Sequence, residues 1–276
     1  MTTQNNIVFS GENQKHTETV LITGASSGIG LELAKCFAAD GCRLILVARN
    51  TPALEKLAAE LRQAHGIETH VLTADLARPE TPGRIFDELR AAKISVDVLV
   101  NNAGFGLHGA FAGLPLQRQL EIINVNLSAL TGLTGLFLPG MIERKRGGIL
   151  NVGSVAGFLP GPNMAVYFAT KAYVNSFTEA LAGELSGTGL IVSALCPGAT
   201  ETNFSNVARG EKIERIRTSK MSAEAVARYG HRAYRNGKVV AISGWQNRLL
   251  ILVLRMLPRW FVRKIIKSFN RTKPKP

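Results

Sequence analysis

Residues 19–30 read TVLITGASSGIG, a short apolar and β-branched run followed at once by a glycine-rich turn. The apolar spacing that comes next, through Leu31, Leu33, Ala34 and Phe37, is typical of a helix. This stretch therefore predicts a buried strand, a tight turn and a helix. Glycines allow the backbone of such a turn to approach a pyrophosphate, whose charge is stabilised at a helix N-terminus. A tight connection without any ligand is the alternative interpretation.

Further short apolar runs follow along the chain and alternate with helical patterns. Strands are predicted at 43–48, 69–73, 96–100, 148–154, 190–195 and 238–242. Long helical patterns occupy 116–141 and 166–185. Such alternation predicts a single α/β domain, with a doubly wound, mostly parallel seven-stranded sheet and helices on both faces. Ligands of such a sheet bind beyond the carboxyl ends of its strands.

Chain length and polarity agree with one large soluble domain. The 276 residues suffice for a single α/β core, and no internal boundary is evident. A run of about twenty uncharged apolar residues does not occur in the sequence, so a membrane-spanning helix is not predicted. Residues 1–18 are polar and lack the apolar segment of a secretory signal, so they are interpreted as a disordered leader. Cytoplasm is the default location.

The cysteines and histidines show no ligand spacing. The three cysteines include no Cys-x-x-Cys pair, and the five histidines are scattered along the chain. The sequence therefore predicts neither a metal site nor a disulfide.

Basic residues are concentrated at the end of the chain. The formal net charge is +13, yet residues 246–276 contain no acid and nine basic residues, namely Arg248, Arg255, Arg259, Arg263, Lys264, Lys267, Arg271, Lys273 and Lys275. Because the excess is local, a nucleic-acid partner is not predicted. The segment is also apolar, and Pro258 is expected to divide it into two short helices. Peripheral contact with an anionic membrane is one interpretation of this helical tail. An extra helix packed over its own subunit or a neighbour is the other.

Polar residues follow the second and third predicted strands. Many dinucleotide-binding folds place an acid at the end of the second strand to hold the ribose diol, whereas this chain has Ala48 and then Arg49-Asn50. An arginine there favours a 2′-phosphate, hence NADP(H) over NAD(H), although a solvated arginine is the alternative. Asp75, followed by Leu76, would accept a hydrogen bond from an adenine amino group or cap the following helix.

Tyr167 and Lys171 are four residues apart in a helical pattern, so their side chains share a face. A nearby ammonium favours the phenolate. Lowering the tyrosine pKa by about 3 units requires roughly 4 kcal/mol. One unit charge supplies this energy at ~4 Å when the effective dielectric constant is about 20. Ser154, at the end of the fifth predicted strand, adds a hydroxyl. The alternatives are an amphipathic helix with a solvated lysine and a serine that caps a strand end.

With these residues in place, the chain resembles the short-chain dehydrogenase/reductase family over roughly 19–245. The tail from 246 to 276 is a departure from it. The resemblance implies a Rossmann-like NAD(P)-binding catalytic domain, commonly a homodimer or homotetramer. The matching motifs are Thr23-Gly24-x-x-x-Gly28-x-Gly30, Asn101-Asn102-Ala103-Gly104, Asn126 within Asn124-Val125-Asn126, Ser154, Tyr167-x-x-x-Lys171, and Pro197-Gly198 with Thr202.

By that resemblance, Tyr167 is the general acid/base and Ser154 orients the substrate oxygen. Lys171 acidifies Tyr167 and holds the nicotinamide ribose, while Asn126 links to a water chain. Many NADP-preferring members have a basic residue where this chain has Ser27. The implied cofactor-binding residues are Gly24, Ser26, Ser27, Gly28, Ile29, Gly30, Arg49, Asn50, Asp75, Leu76, Asn102, Ala103, Gly104, Tyr167, Lys171, Pro197, Gly198, Thr200 and Thr202.

These residues predict an NADP(H)-dependent oxidoreductase that interconverts a hydrophobic ketone or aldehyde and an alcohol, with NAD(H) as the second cofactor. Residues 209–220 are expected to form a lid. Two alternatives remain open, namely a non-catalytic NADPH-sensing membrane-associated or scaffold protein, and an epimerase or dehydratase of related fold. The expected apolar pocket consists of Phe105, Leu107, Phe111, Phe158 and Leu159.

Overall fold

A parallel sheet forms the centre of the molecule in the computed structural model, which describes residues 17–202, 204 and 220–269. Its strand order is β3-β2-β1-β4-β5-β6-β9, and every neighbouring pair is parallel. A separate parallel pair joins β7 to β8. The strands are β1 (Thr19–Thr23), β2 (Arg43–Ala48), β3 (Thr69–Thr73), β4 (Val98–Asn101), β5 (Gly148–Val152), β6 (Ile191–Cys196), β7 (Thr200–Glu201), β8 (Met221–Ser222) and β9 (Val240–Ile242).

Helices connect the strands and cover the sheet. A short π-helical turn, Asn124–Ser128, joins the fourth helix to the fifth. The helices are α1 (Gly28–Ala39), α2 (Thr51–His65), α3 (Thr81–Ala91), α4 (Leu116–Ile123), α5 (Ala129–Arg144), α6 (Ala165–Glu184), α7 (Ala223–Arg235), α8 (Trp245–Met256) and α9 (Arg259–Phe269).

Both faces of the sheet are buried. Successive side chains of a strand point to opposite faces, so each strand packs on both sides. In β1, Val20 and Ile22 pack in one cluster with residues of α1, α2 and α7. Leu21 packs in the other cluster, with residues of α3, α5 and α6. Burial on both faces explains why the strands are continuous apolar runs. The predicted doubly wound, Rossmann-like α/β fold is confirmed.

Some predicted boundaries shift by one to a few residues. Strand β5 ends at Val152 rather than at Ser154, because the Ser154 hydroxyl accepts a hydrogen bond from the Ala156 amide at 3.0 Å and begins a short 3-10 turn. Of the predicted leader, residues 1–16 lie outside the described part of the chain. Glu18 belongs to the folded domain, since its carboxylate lies 2.6 Å from Arg235.

Helices α4 and α5 run on continuously through the π-helical turn as a segment of 29 residues, 116–144. Within the described ranges this is the one helix apolar and long enough to cross a membrane, by length and composition alone, and an 18-residue stretch of it has a mean hydropathy of 1.4. Its Leu133, Phe137 and Met141 pack against the central sheet. A core helix of a soluble protein passes the same test.

The tail forms two helices, α8 and α9, with Pro258 between them. One side of each packs on the domain. The tail residues Leu254, Val262 and Ile266 are buried in one apolar cluster. The domain residues Leu159 and Phe168 are partly buried and pack against this cluster.

Candidate active site

A large cavity of about 1390 Å³ lies at the carboxyl ends of the central strands. The turn after β1 and the segments after β2 to β6 line it. This is where a doubly wound sheet binds its ligands. The structure brings together in this cavity every residue predicted for cofactor binding or catalysis, except Gly30 and Asn126.

The glycine turn after β1 brings its backbone close to β4. Gly24 has a φ of +67°, and a Cβ there would lie 2.8 Å from the side-chain amide nitrogen of Asn102. That nitrogen donates to the carbonyls of Thr23 and Gly24, at 2.9 and 3.2 Å. A Cβ on Gly30 would collide with the same amide and with the Gly24 carbonyl. Gly30 therefore serves packing behind the turn, which explains why it does not line the cavity.

The segments after β2 and β3 form another part of the wall. Arg49 is exposed there, and Asn50 caps α2 by accepting from the Ala53 amide at 3.1 Å. The Asp75 carboxylate accepts from the Ala77 amide at 3.1 Å while still lining the cavity. It caps the turn that precedes α3.

Arg78 lines the same cavity wall, although it was not predicted. It lies three residues beyond Asp75, after the same strand. The rule that strand ends converge on one edge of the sheet would have found it.

Ser154 and Tyr167 meet inside the cavity. Ser154 is only 8% exposed, and its hydroxyl oxygen lies 3.4 Å from the Pro197 carbonyl. Tyr167 projects from the first turn of α6 and lines the same cavity. Burial raises the pKa of Tyr167 to about 12, and the nearby Ser154 hydroxyl opposes this shift. The phenol is therefore protonated at neutral pH.

Lys171 lies one helical turn beyond Tyr167 and is buried. Its ammonium donates to the Val152 carbonyl at 2.6 Å and lies 6.0 Å from the centre of the Tyr167 ring. Burial lowers the pKa of Lys171 to about 8. We expected this ammonium to bring the pKa of Tyr167 down. The raised pKa corrects that expectation, because removal from water is the larger effect on the phenol.

Asn126 lies in the π-helical turn and is 1% exposed. Its amide nitrogen donates to the Phe105 carbonyl at 3.0 Å and to the Thr170 hydroxyl at 3.1 Å, and its oxygen accepts from the Phe105 amide at 3.0 Å. A Cβ on Gly104 would lie 3.0 Å from the Asn126 oxygen and 3.6 Å from the Lys171 ammonium. Asn126 therefore fixes the loop after β4 against α6.

Asn175 was missed by the sequence reasoning. It is buried one turn beyond Lys171, and its amide nitrogen donates to the Ser154 carbonyl at 3.1 Å. Its oxygen accepts from the Cys196 thiol at 3.4 Å. An amide that continues the Tyr167 and Lys171 face at helical spacing was the available signal.

The apolar part of the cavity differs from the predicted pocket. Phe105 lines it as expected, together with Met164, Phe168 and Phe204. In the described structure the other four predicted residues, Leu107, Phe111, Phe158 and Leu159, do not line it.

Three of these four have other surroundings. Phe111 is 59% exposed, Phe158 lies under the Arg255 guanidinium at 5.4 Å, and Leu159 packs with the tail. Of the predicted lid, only Lys220 is among the described residues, and it lines the cavity. Residues 209–219 lie outside them.

The fold and cleft define a Rossmann-like α/β enzyme with a nucleotide-binding turn beside a half-buried tyrosine and a buried lysine. The family model for short chain dehydrogenases matches residues 18–212. The chain therefore belongs to the short-chain dehydrogenase/reductase family, and it is an NAD(P)-dependent oxidoreductase.

Known proteins resemble the chain over most of its length. A short-chain dehydrogenase from Sphingobium yanoikuyae, solved in complex with NADPH, is 34% identical, with a TM-score of 0.79 over 94% of this chain and 98% of that chain. The bulky-bulky ketone specific alcohol dehydrogenase from Comamonas testosteroni is 30% identical, with a TM-score of 0.75 over 87% and 93%. The very-long-chain 3-oxoacyl-CoA reductase of Anas platyrhynchos is 31% identical over 258 residues, which cover 91% of this chain and 79% of that protein.

Proposed function

We propose that this protein is an NADP(H)-dependent oxidoreductase that interconverts a hydrophobic ketone or aldehyde with its alcohol. One observation carries the proposal: Ser154 and Tyr167 share a cavity with the glycine turn after β1. Hydroxyl groups that converge on one substrate oxygen suit proton transfer coupled to charge movement.

The cavity fits a dinucleotide together with a substrate. Its volume of about 1390 Å³ exceeds the ~300–1,000 Å³ typical of a pocket for one small ligand. Gly28, with a φ of +58°, lets the backbone turn where α1 begins. Backbone amides at such a helix N-terminus bind phosphates. When bound, the nicotinamide supplies or accepts the hydride at the substrate carbon.

Arg49 and Arg78 support NADP(H) as the preferred cofactor. Both line the cavity, and an acid is not found at the end of β2. The NADPH complex of the Sphingobium relative is consistent with this choice. NAD(H) is the second cofactor proposed.

Replacing Arg49 with Ala tests the assignment. We expect the KM for NADPH to rise about 10–100-fold, since a hydrogen bond to a charged group contributes roughly 1.5–3 kcal/mol. The KM for NADH should change little. Arg43→Ala is the control, because Arg43 lies at the opposite end of the same strand, beside Glu68. Equal effects of Arg49→Ala on both cofactors would remove the assignment.

The protonation states favour the reducing direction. Because the pKa of Tyr167 is about 12, its phenol carries the proton that a carbonyl oxygen receives during reduction. Ser154 would donate a hydrogen bond to the same oxygen. Lys171, charged below about pH 8, would hold the nicotinamide ribose and stabilise the phenolate as it forms.

The family resemblance assigns Asn126 to a water chain that restores the proton. The bonds that Asn126 makes to Phe105 and Thr170 support a role in holding the site together. The same resemblance suggests a homodimer or homotetramer, which light scattering in solution would test.

The apolar part of the cavity supports a bulky hydrophobic ketone as substrate. Phe204 packs with its ring centre 5.1 Å from that of Tyr167, and Phe105, Met164 and Phe168 complete this side. Relatives that reduce 3-oxoacyl-CoA or accept ketones with two bulky substituents point the same way.

The test is NADPH oxidation with a panel of aliphatic ketones, steroid ketones and 3-oxoacyl thioesters. We expect turnover to rise with apolar size and to be lost in Tyr167→Phe. Tight NADPH binding without turnover of any carbonyl would favour the non-catalytic alternative.

A further inference from the structure

Helix α8 is apolar on two opposite sides. Its inner side, with Ile251 and Leu254, packs on the domain, where these residues are 4% and 7% exposed. At about 100° per residue, five further apolar residues fall within an arc of roughly 100° on the outer side. They are 48% to 82% exposed, and they are Trp245, Leu249, Leu252, Val253 and Met256. A contiguous exposed apolar surface on a helix normally marks a contact with a partner or a membrane.

Helix α9 extends this surface with aromatic and basic side chains. Trp260 and Phe261 are 54% and 40% exposed, beside the exposed Arg263, Lys264 and Lys267. The Lys264 ammonium lies 5.2 Å from the Trp260 ring. Tryptophan beside lysine and arginine is the composition that anchors helices at a membrane interface.

Basic residues also border the apolar side of α8. Arg248 and Arg255 are both exposed and lie along one edge of it. We define the docking surface as the outer sides of α8 and α9.

Charge identifies what covers this surface. Residues 246–276 contain nine basic residues and no acid. A symmetric contact between two copies would bring these like charges together. An anionic lipid surface complements them, and it accepts the apolar side chains at the same time. We propose that the docking surface binds the interface of an anionic membrane, with α8 and α9 lying in its plane.

The docking surface lies next to the catalytic cavity. Phe168 packs against the inner side of the tail and also lines the cavity. A docked protein would therefore hold the cavity close to the bilayer, where apolar ketones accumulate. This consequence rests on the proposed function, whereas docking itself does not.

Vesicle sedimentation with the full chain tests docking without any substrate. We expect binding to vesicles of phosphatidylcholine with phosphatidylserine, and binding at least about tenfold weaker to phosphatidylcholine alone or at high salt. Leu249→Ser/Leu252→Ser should weaken binding about tenfold or more, because apolar burial is lost. Arg263→Glu/Lys267→Glu should weaken it by a similar factor.

The control is Leu116→Ser/Leu120→Ser on α4. Leu116 is 64% exposed and Leu252 is 63% exposed, so the two variants remove similar apolar surface from different places. Unchanged NADPH binding shows that each variant is folded. A deletion of the tail is unsuitable, because its inner side is part of the core.

Three results would overturn the proposal. The first is equal binding of the wild type to both kinds of vesicle. The second is an equal loss of binding in the α4 control. The third is a smaller assembly for Leu249→Ser/Leu252→Ser in light scattering, which would show that another copy of the chain covers the surface. A non-catalytic protein that still binds vesicles would leave docking intact and remove the reaction.

Discussion

Helix α6 buries polar side chains, whereas helix α8 exposes apolar ones. In α6, Lys171, Asn175 and Thr178 are 6%, 3% and 0% exposed. In α8, Leu252 and Met256 are 63% and 82% exposed. Both arrangements cost free energy unless a partner compensates. The difference between the helices lies in where that partner is.

The partners of α6 belong to the same chain. Lys171 donates to the Val152 carbonyl at 2.6 Å and Asn175 to the Ser154 carbonyl at 3.1 Å. Thr178 accepts from the Asn151 amide at 2.9 Å. On the outer side of α8, residues 17–202 and 220–269 leave the apolar side chains 48% to 82% exposed. Buried polar groups that are hydrogen-bonded within the chain therefore mark the reaction site. The exposed apolar side of α8 marks the proposed membrane contact.

The hydroxyl of Tyr167 gives the largest expected effect. Tyr167→Phe should lower kcat/KM for ketone reduction about 10²–10⁴-fold, the range for loss of a general acid, while NADPH binding persists. The control is Tyr173→Phe on the same helix, whose hydroxyl pairs with Thr131 at 2.9 Å. Similar losses of kcat/KM in both variants would mean that the Tyr167 hydroxyl supports the structure of α6 and does not act as the general acid.

The two sides of α8 should respond differently to the same substitution. Leu254 is 7% exposed and Leu252 is 63% exposed. Leu254→Ala should lower the free energy of unfolding by about 2–5 kcal/mol, whereas Leu252→Ala should change it by less than about 0.5 kcal/mol. Urea unfolding, with hydrogen exchange of the tail, measures both. Comparable costs would show that the outer side is also buried.

The buried amide of Asn175 should contribute less. Asn175→Ala removes one of two donors to the Ser154 carbonyl, which keeps the Gly157 amide at 3.0 Å, so the loss should cost about 0.5–1.5 kcal/mol of stability. We expect kcat to fall as Ser154 loses support. Asn236→Ala, at the exposed end of α7, is the matched control. No change in the melting temperature of Asn175→Ala would contradict the importance of internal pairing.

The pH profile gives the smallest effect. Burial lowers the pKa of Lys171 to about 8, so the ammonium is present below that pH and lost above it. kcat/KM for NADPH, which reports groups of the free enzyme, should be constant below pH 8 and fall about tenfold for each unit above it. A profile that stays constant to pH 10 would exclude a charged Lys171 as a requirement.

Local pattern was sufficient to predict the framework. The run from Thr19 to Gly30 specifies a strand, a turn and a helix through residues adjacent in sequence. The carboxyl ends of parallel strands meet at one edge of the sheet, so the sequence alone predicts that Arg49, Asp75 and Ser154 lie at that edge. The alternation of strands and helices along the chain predicts the topology of the sheet, and the topology determines where each strand end lies.

Contacts between distant segments were beyond the sequence. Phe204 and Met164 line the cavity, while Leu107 does not, because loop paths decide which apolar residues face inward. The raised pKa of Tyr167 depends on how completely neighbouring segments exclude water. The helical spacing alone predicted that Lys171 lies near Tyr167. It did not predict that burial has the larger effect on the pKa of Tyr167.

The pairing of Glu18 with Arg235 has a consequence for how the protein is made. These residues are 217 positions apart, so they are joined across nearly the whole catalytic domain. A ribosome must release most of the polypeptide before the two ends of this domain can meet. Domains that depend on contacts between segments so distant in sequence fold slowly. We therefore expect the growing chain to stay incomplete, with apolar strands uncovered, until late in synthesis.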